Sequence, residues 1–307
     1  MTSASPVNAH MLQQAAFTQL SQVDELAILN IRHPLFEAEI ALQGAQLLRF
    51  RPTGQPDWIW LSPEAEYKQG QSLRGGVPIC WPWFGVAAKN PDLLCQQIKP
   101  NAEQAGSHGF ARALNWDLVS LNERAHGVEL ALQLNSNADT LDIWPFPFKL
   151  TAIFHLGRTL DIRLVTDNLS DQTMMISQAL HTYFPCEDIQ RVRIQGTGNQ
   201  ALTDALDNWS ETVQQGTQHF NEEVDRIYHT GGPFRLETGS TPLSLTSHNS
   251  QTSVIWNPWI EKSKRLSQFA DYRYKEMFCV ETANVLSDCK EIEPNSQISI
   301  GFTLAQA

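Results

Sequence analysis

The sequence predicts an all-β protein, a set of short strands in one domain with few and short helices. Three observations carry this. Apolar and polar residues alternate over several short runs, the period of a strand buried on one face. Turn signals recur at intervals of roughly 8–12 residues, the spacing of sandwiches and barrels. Helix-period patterns are sparse, and no linker rich in Gly, Ser or Pro divides the chain.

In chain order, Met1–Leu20 reads as a mobile N-terminal tail, which leaves residues 21–307 as the domain. Ser62–Tyr67 reads as a short helix, because S-P-E-A-E offers a capping Ser and Pro at the first helical position. Val128–Leu134 is a strand with Val128, Leu130, Leu132 and Leu134 on one face. Leu150–Leu156 and Leu160–Val165 repeat that pattern, and Gly157-Arg158-Thr159 between them reads as a tight hairpin with Gly supplying φ > 0. Asn199–Leu206 reads as a second short helix. Leu243–Thr246 and Ile298–Leu304 are further strands, the latter placing Ile298, Ile300, Phe302 and Leu304 together.

Composition narrows the function. The chain has 307 residues, 42% of them hydrophobic and only 18% charged, which excludes disorder as the main state. The net charge of -11 opposes a general nucleic-acid binder. An anionic small molecule would need a local basic pocket against that field. The five cysteines (Cys80, Cys95, Cys186, Cys279 and Cys289) are odd in number and form no C-x-x-C, so they read as free thiols of a reducing cytosol. The N-terminus lacks the features of a signal peptide, and no run of 18 apolar residues occurs. A soluble cytoplasmic protein is expected.

Five segments break the alternation. R-G-G-V-P-I-C-W-P-W-F-G over residues 74–85 pairs two glycines, which admit close backbone approach, with a rigid wall of aromatics and prolines. S-H-G-F-A-R spans 107–112, A-L-H-T-Y-F spans 179–184 and V-D-R-I-Y spans 224–228. The fifth runs from Val254 to Asn284 and contains W-N-P-W, Lys262, Lys264, Arg265 and C-V-E-T. His181 stands in an apolar neighbourhood. Glu281 interrupts what otherwise reads as a buried strand, where a carboxylate is costly unless paired or functional. Burial would raise its pKa, and a His and a Glu across one cleft can act as an acid/base pair. Lys262, Lys264 and Arg265 read first as a solvated face and second as weaker candidates for holding an anion. No H-E-x-x-H, P-loop, Gly-x-Gly-x-x-Gly or G-x-S-x-G is present, so no metal, nucleotide cofactor or serine nucleophile is indicated.

Taken in order, these motifs resemble the D-hexose-6-phosphate mutarotases, the glucose-6-phosphate 1-epimerase branch of the galactose mutarotase-like (aldose 1-epimerase) superfamily. The resemblance covers Arg74 to Glu281. It implies a large antiparallel β-sandwich of the supersandwich type, and interconversion of the α and β anomers of a hexose 6-phosphate without metal or organic cofactor. It implies His181 and Glu281 as the catalytic pair, and Arg74, Arg112 and Asp225 as substrate-binding residues, with His108 near the sugar. Ser107 stands where the family often has Gln, and its shorter side chain weakens that contact. The expected partner is a sugar phosphate bound by a monomer, with no nucleic acid and no membrane. Three alternatives stay open. One is a mutarotase for free aldoses, and another a noncatalytic sugar-phosphate sensor. The third is a carbohydrate hydrolase or lyase using Asp225 and Glu281.

Overall fold

Two large antiparallel sheets form the body of the protein, and a four-stranded sheet and a two-stranded one (Met174–Ile176 with Lys290–Ile292) complete it. The computed structural model describes residues 9–100 and 106–307. The first eight-stranded sheet runs, in spatial order, Arg193–Gln195, Phe234–Glu237, Leu243–His248, Gln297–Gln306, Leu160–Asn168, Phe148–Leu156, Gly127–Asn135 and Asp117–Arg124. Here the alternating runs fold as expected. Leu130, Leu150, Phe154, Ile162, Phe302 and Leu304 are at most 1% exposed. Each such side chain contributes about 1.5–3 kcal/mol relative to exposure.

The second sheet runs Ser210–Val213, Ala201–Asp204, Val224–Tyr228, Thr252–Asn257, Met277–Asn284, Gln178–Leu180 and Ile79–Cys80, with Tyr183–Pro185 also paired to Met277–Asn284. A four-stranded meander, Thr18–Val23, Leu26–His33, Phe36–Ala41 and Gln46–Pro52, stands apart from both. Among the described residues the four α-helices have only five or six residues each. None is long and apolar enough to cross a membrane.

Several expectations need correction. Of the expected tail, residues 1–8 lie outside the described residues. Ala9–Gln14 is a helix, and Thr18–Val23 pairs along its length with Leu26–His33. The carboxylate of Glu123 pins this segment by accepting from the Ala16 N–H at 2.6 Å and the Thr18 hydroxyl at 2.7 Å. Ser62–Tyr67 is not a helix. The Ser62 hydroxyl instead donates to the Gln268 carbonyl at 2.7 Å, and the Ala65 N–H closes a single turn on the Ser62 carbonyl. Ala201–Asp204 is a strand, because both its edges are taken by neighbours. The 157–159 hairpin forms, but Gly157 is not in the left-handed region; its lack of a Cβ matters because one would lie 3.0 Å from the His126 carbonyl oxygen.

Candidate active site

The strand Met277–Asn284 sits between Thr252–Asn257 on one side and the segments around His181 on the other, and all eight of its residues are buried. Thr282 hydrogen-bonds Ser247 of the first sheet at 2.9 Å, so the even-numbered residues face that sheet. Cys279, Glu281 and Ala283 therefore face away from it. Register carries that face across the sheet. Val254 lies opposite Glu281, Trp256 opposite both Cys279 and Asp225, and Ile227 opposite Val254. Glu281, Val254, Trp256, Ile227 and Asp225 consequently line one cavity of about 640 Å³, within the ~300–1,000 Å³ range of small-molecule sites.

His181 occupies the break between Gln178–Leu180 and Tyr183–Pro185. The Thr182 N–H closes back on the Leu180 carbonyl at 3.0 Å, so His181 is the middle of a three-residue turn. The 74–85 segment fixes that turn from outside. The His181 N–H donates to the Pro78 carbonyl and the Tyr183 N–H to the Gly76 carbonyl, each at 3.0 Å. Gly76 must be glycine: its φ is 68°, and a Cβ would lie 2.3 Å from the Leu47 carbonyl oxygen. The close approach allowed by this glycine is thus to the protein's own backbone, not to a ligand. The aromatic wall also differs from expectation. Trp81 and Trp83 are fully buried in the core, and of the segment's aromatics only Phe84 reaches the cavity.

The His181 Nε2 and Glu281 Oε1 lie 3.4 Å apart, with side-chain exposures of 12% and 2%. The other atoms of the pair, His181 Nδ1 and Glu281 Oε2, are buried without a partner. The His181 ring stacks on Tyr183 at 4.8 Å and meets His108 edge-on at 5.8 Å. Burial and the nearby negative charge of Asp225 push Glu281 well above the usual carboxylate range. Burial, helped by Arg112 and Arg74, pulls His181 down to about 3. Burial thus favours the uncharged form of each group, Glu281 with its proton and His181 without a second one. The pair still holds one proton between pH values set by the two groups.

All seven residues singled out from the sequence, Arg74, Ser107, His108, Arg112, His181, Asp225 and Glu281, line this cavity. Arg74 donates from Nε to the Ser267 carbonyl at 3.3 Å and from Nη1 to the Tyr183 hydroxyl at 3.4 Å. Arg112 donates from Nη2 to the Ser107 carbonyl at 2.6 Å, so Ser107 positions an arginine through its backbone. His108 sits at φ 65°, and its Nδ1 accepts from the Gly85 N–H at 3.2 Å, leaving Nε2 to carry the proton of the neutral ring. Burial, then Arg112 and His181, hold that ring well below the usual histidine range. The Asp225 carboxylate meets Lys262 Nζ at 3.4 Å, and Lys262 also pairs with Glu223 at 3.2 Å. Burial raises Asp225 while Lys262 opposes that rise.

Sequence reasoning singled out the W-N-P-W stretch without assigning Trp256 to the site, and it ranked Lys262 as a solvated residue before an anion-binding one. Trp256 is 8% exposed at the cavity, and Lys262 Nζ lies 5.7 Å from the centre of its ring. Period-2 register from Glu281 through its partner strand would have found Trp256. Among the described residues, no three His, Cys, Asp or Glu side chains converge to hold a metal.

Fold and cavity together define the galactose mutarotase-like class of β-sandwich proteins. The sequence model described as aldose 1-epimerase matches residues 27–304, and the chain belongs to that family. A protein of Escherichia coli K12, provisionally named a glucose-6-phosphate 1-epimerase, is 36% identical over 265 residues, 85% of this chain and 84% of that one. A plant protein of the same provisional name, from Cenchrus ciliaris, is 30% identical over 263 residues, 81% of this chain and 75% of its own. The crystal structure of YeaD from Salmonella typhimurium, provisionally described as a mutarotase, superposes with a TM-score of 0.85 at 33% identity and covers 96% of this chain and 95% of that one. The galactose 1-epimerase of Lactobacillus acidophilus shares the fold, with a TM-score of 0.70 at 16% identity over 94% of this chain and 98% of that one.

Proposed function

We propose that the protein interconverts the α and β anomers of a hexose 6-phosphate, with glucose 6-phosphate as the substrate of choice. One observation carries this: a buried His–Glu pair 3.4 Å apart shares a cavity with two arginines that have no carboxylate partner among the described residues. Membership of the aldose 1-epimerase family and the names of its relatives support the same choice.

The Glu281 carboxylate takes the proton of the anomeric hydroxyl while the His181 imidazolium donates to the ring oxygen. The ring opens to the aldehyde, C1 turns about the C1–C2 bond, and the ring closes on the other face with the two roles exchanged. One proton enters the substrate and one leaves, so the pair needs a single proton throughout. The phosphate lies against Arg74 and Arg112, whose guanidinium forks match its oxygens. Trp256 offers an apolar face to the sugar, and Asp225 and His108 offer an acceptor and a donor to its hydroxyls.

The experiment is two-dimensional exchange NMR on equilibrated glucose 6-phosphate, with free glucose and galactose in parallel. Enzyme-dependent α/β cross-peaks strongest for the phosphate ester are expected. Exchange confined to the free sugars would make the protein an aldose mutarotase, and no exchange with any of them would refute the epimerase reading.

A further inference from the structure

Arg74 and Arg112 present an electrostatic problem that substrate anchoring alone does not explain. Neither forms an ion pair among the described residues, and their side-chain partners are neutral: the Ser267 carbonyl, the Tyr183 hydroxyl and the Ser107 carbonyl. The third cation of the cavity, Lys262, is already held by Asp225 and Glu223. Two positive charges without a carboxylate partner therefore share the cavity with His181, a ring that must itself become positive to protonate a sugar oxygen. Like charges repel strongly where few dipoles screen them.

We propose that an oxyanion seated on Arg74 and Arg112 activates the His181–Glu281 pair as well as anchoring the substrate, so that a free hexose becomes a good substrate when a separate tetrahedral dianion occupies that corner. This rests on the epimerase activity proposed above and extends it to a two-part substrate, hexose plus oxyanion.

The proton inventory explains how. Glu281 Oε1 faces His181 Nε2 at 3.4 Å, close enough for one proton to pass between them, and with that proton on Glu281 both groups are neutral. Burial favours that neutral form, and both arginines oppose charge on His181. A dianion cancels the two guanidinium charges. The O–H bond at Oε1 then breaks and an N–H bond forms at Nε2. The pair stays neutral overall, and the products are the carboxylate and imidazolium that ring opening requires. The other groups facing the pair do not compete for this proton. Burial and Arg112 hold His108 well below the usual histidine range, which opposes a proton on it. The Tyr183 phenol stacked on His181, and the Cys80 and Cys279 thiols beside Glu281, are all pushed up by burial and stay protonated. Asp225 is held by Lys262, and its negative charge disfavours a second one on Glu281, so the carboxylate form depends on the dianion's effect at His181.

Anomer exchange of free glucose is measured on the full-length protein with sodium sulfate or sodium phosphite at constant ionic strength, each corrected for the enzyme-free rate. Sulfate is the main probe because it is too weak a base to catalyse mutarotation itself. A saturable rise of at least tenfold in kcat/KM for free glucose is expected, lost in Arg74→Ala and Arg112→Ala and kept in part by Arg112→Lys. If the oxyanions leave glucose exchange unchanged or inhibit it while glucose 6-phosphate exchanges rapidly, the activation is refuted and the epimerase activity stands. If glucose 6-phosphate does not exchange either, both fall. Histidine ring ¹⁵N spectra give an independent readout. Sulfate should move the His181 signals, assigned by their loss in His181→Asn, to imidazolium positions. Signals that stay at neutral-ring positions at saturating sulfate overturn the proposal.

Discussion

The strands Phe148–Leu156 and Met277–Asn284 are both central in eight-stranded sheets, but they are built differently. In the first, Phe148, Leu150, Ala152, Phe154 and Leu156 are buried, while Lys149, Thr151, Ile153 and His155 lie on the more open face. In the second, every residue is buried, including Glu281, Thr282 and Asn284. A one-faced strand can put polar groups in water at no cost. A two-faced strand cannot, so each polar residue in it must be hydrogen-bonded or must do something else. Thr282 and Asn284 are hydrogen-bonded, to Ser247 and to Asp288. Glu281 has an oxygen with no partner. The unsatisfied atom separates Glu281 from its hydrogen-bonded neighbours on the same strand.

The sharpest test of this difference exchanges stability for activity between the two strands. Glu281→Gln keeps the volume and an uncharged polar group but cannot accept the anomeric proton. Its kcat for glucose 6-phosphate should fall ~10²–10⁴-fold, with an unfolding midpoint at or above that of the parent protein. Phe154→Ala should do the reverse. It empties a site that is 1% exposed and should cost about 3–5 kcal/mol of stability, while kcat per folded molecule holds. Urea denaturation and exchange NMR on the same samples decide both. A Glu281→Gln protein with normal turnover would remove Glu281 from the mechanism.

A smaller effect comes from pH. Glu281 has a folded pKa above its ordinary value of 4.5, so the folded state holds the proton more tightly than the unfolded one. Its contribution is fully present below pH 4.5 and is lost as pH rises toward the folded value. His181 is the opposite case, depressed from 6.5 to about 3. Its contribution is present above pH 6.5 and is lost as pH falls toward 3. The stability of Glu281→Gln relative to the parent should therefore grow with pH above 4.5. Urea midpoints from pH 4.5 to 8 measure it, and a difference that is flat over that range would mean that Glu281 is ionised in the folded state.

The same contrast explains what the sequence could reveal. Strands buried on one face advertise themselves by alternation, so Val128–Leu134, Leu150–Leu156 and Ile298–Leu304 were legible one by one. Glu281 was legible because a carboxylate in an apolar run has a cost. The pairing of His181 with Glu281 was not, since it depends on a turn held by the Pro78 and Gly76 carbonyls, far away in sequence. Ser62–Tyr67 carries genuine helix-start chemistry. There, long-range bonds to Gln268 outcompete the local preference. Trp81 and Trp83 read as a ligand wall because an aromatic run looks the same whether it lines a pocket or fills a core.

Lys262 and Lys264 give the finest version of the comparison, because the sequence treated them alike. The first turns into the cavity, with its Nζ near Asp225, Glu223 and the Trp256 ring. The second pairs with Glu261 at the surface, 47% exposed, where ion pairs contribute little. Lys262→Met keeps the length and the apolar stem but removes the charge that offsets Asp225. Asp225 would then face the cavity with one fewer cation, its negative charge would weigh more heavily on Glu281, and the sugar would meet a differently charged wall. A several-fold rise in KM for glucose 6-phosphate is expected, with less change in kcat. Lys264→Met should leave KM, kcat and the unfolding midpoint unchanged within error. Equal kinetic effects from the two substitutions would mean that Lys262 acts only through the protein's overall field and not through the cavity wall it lines.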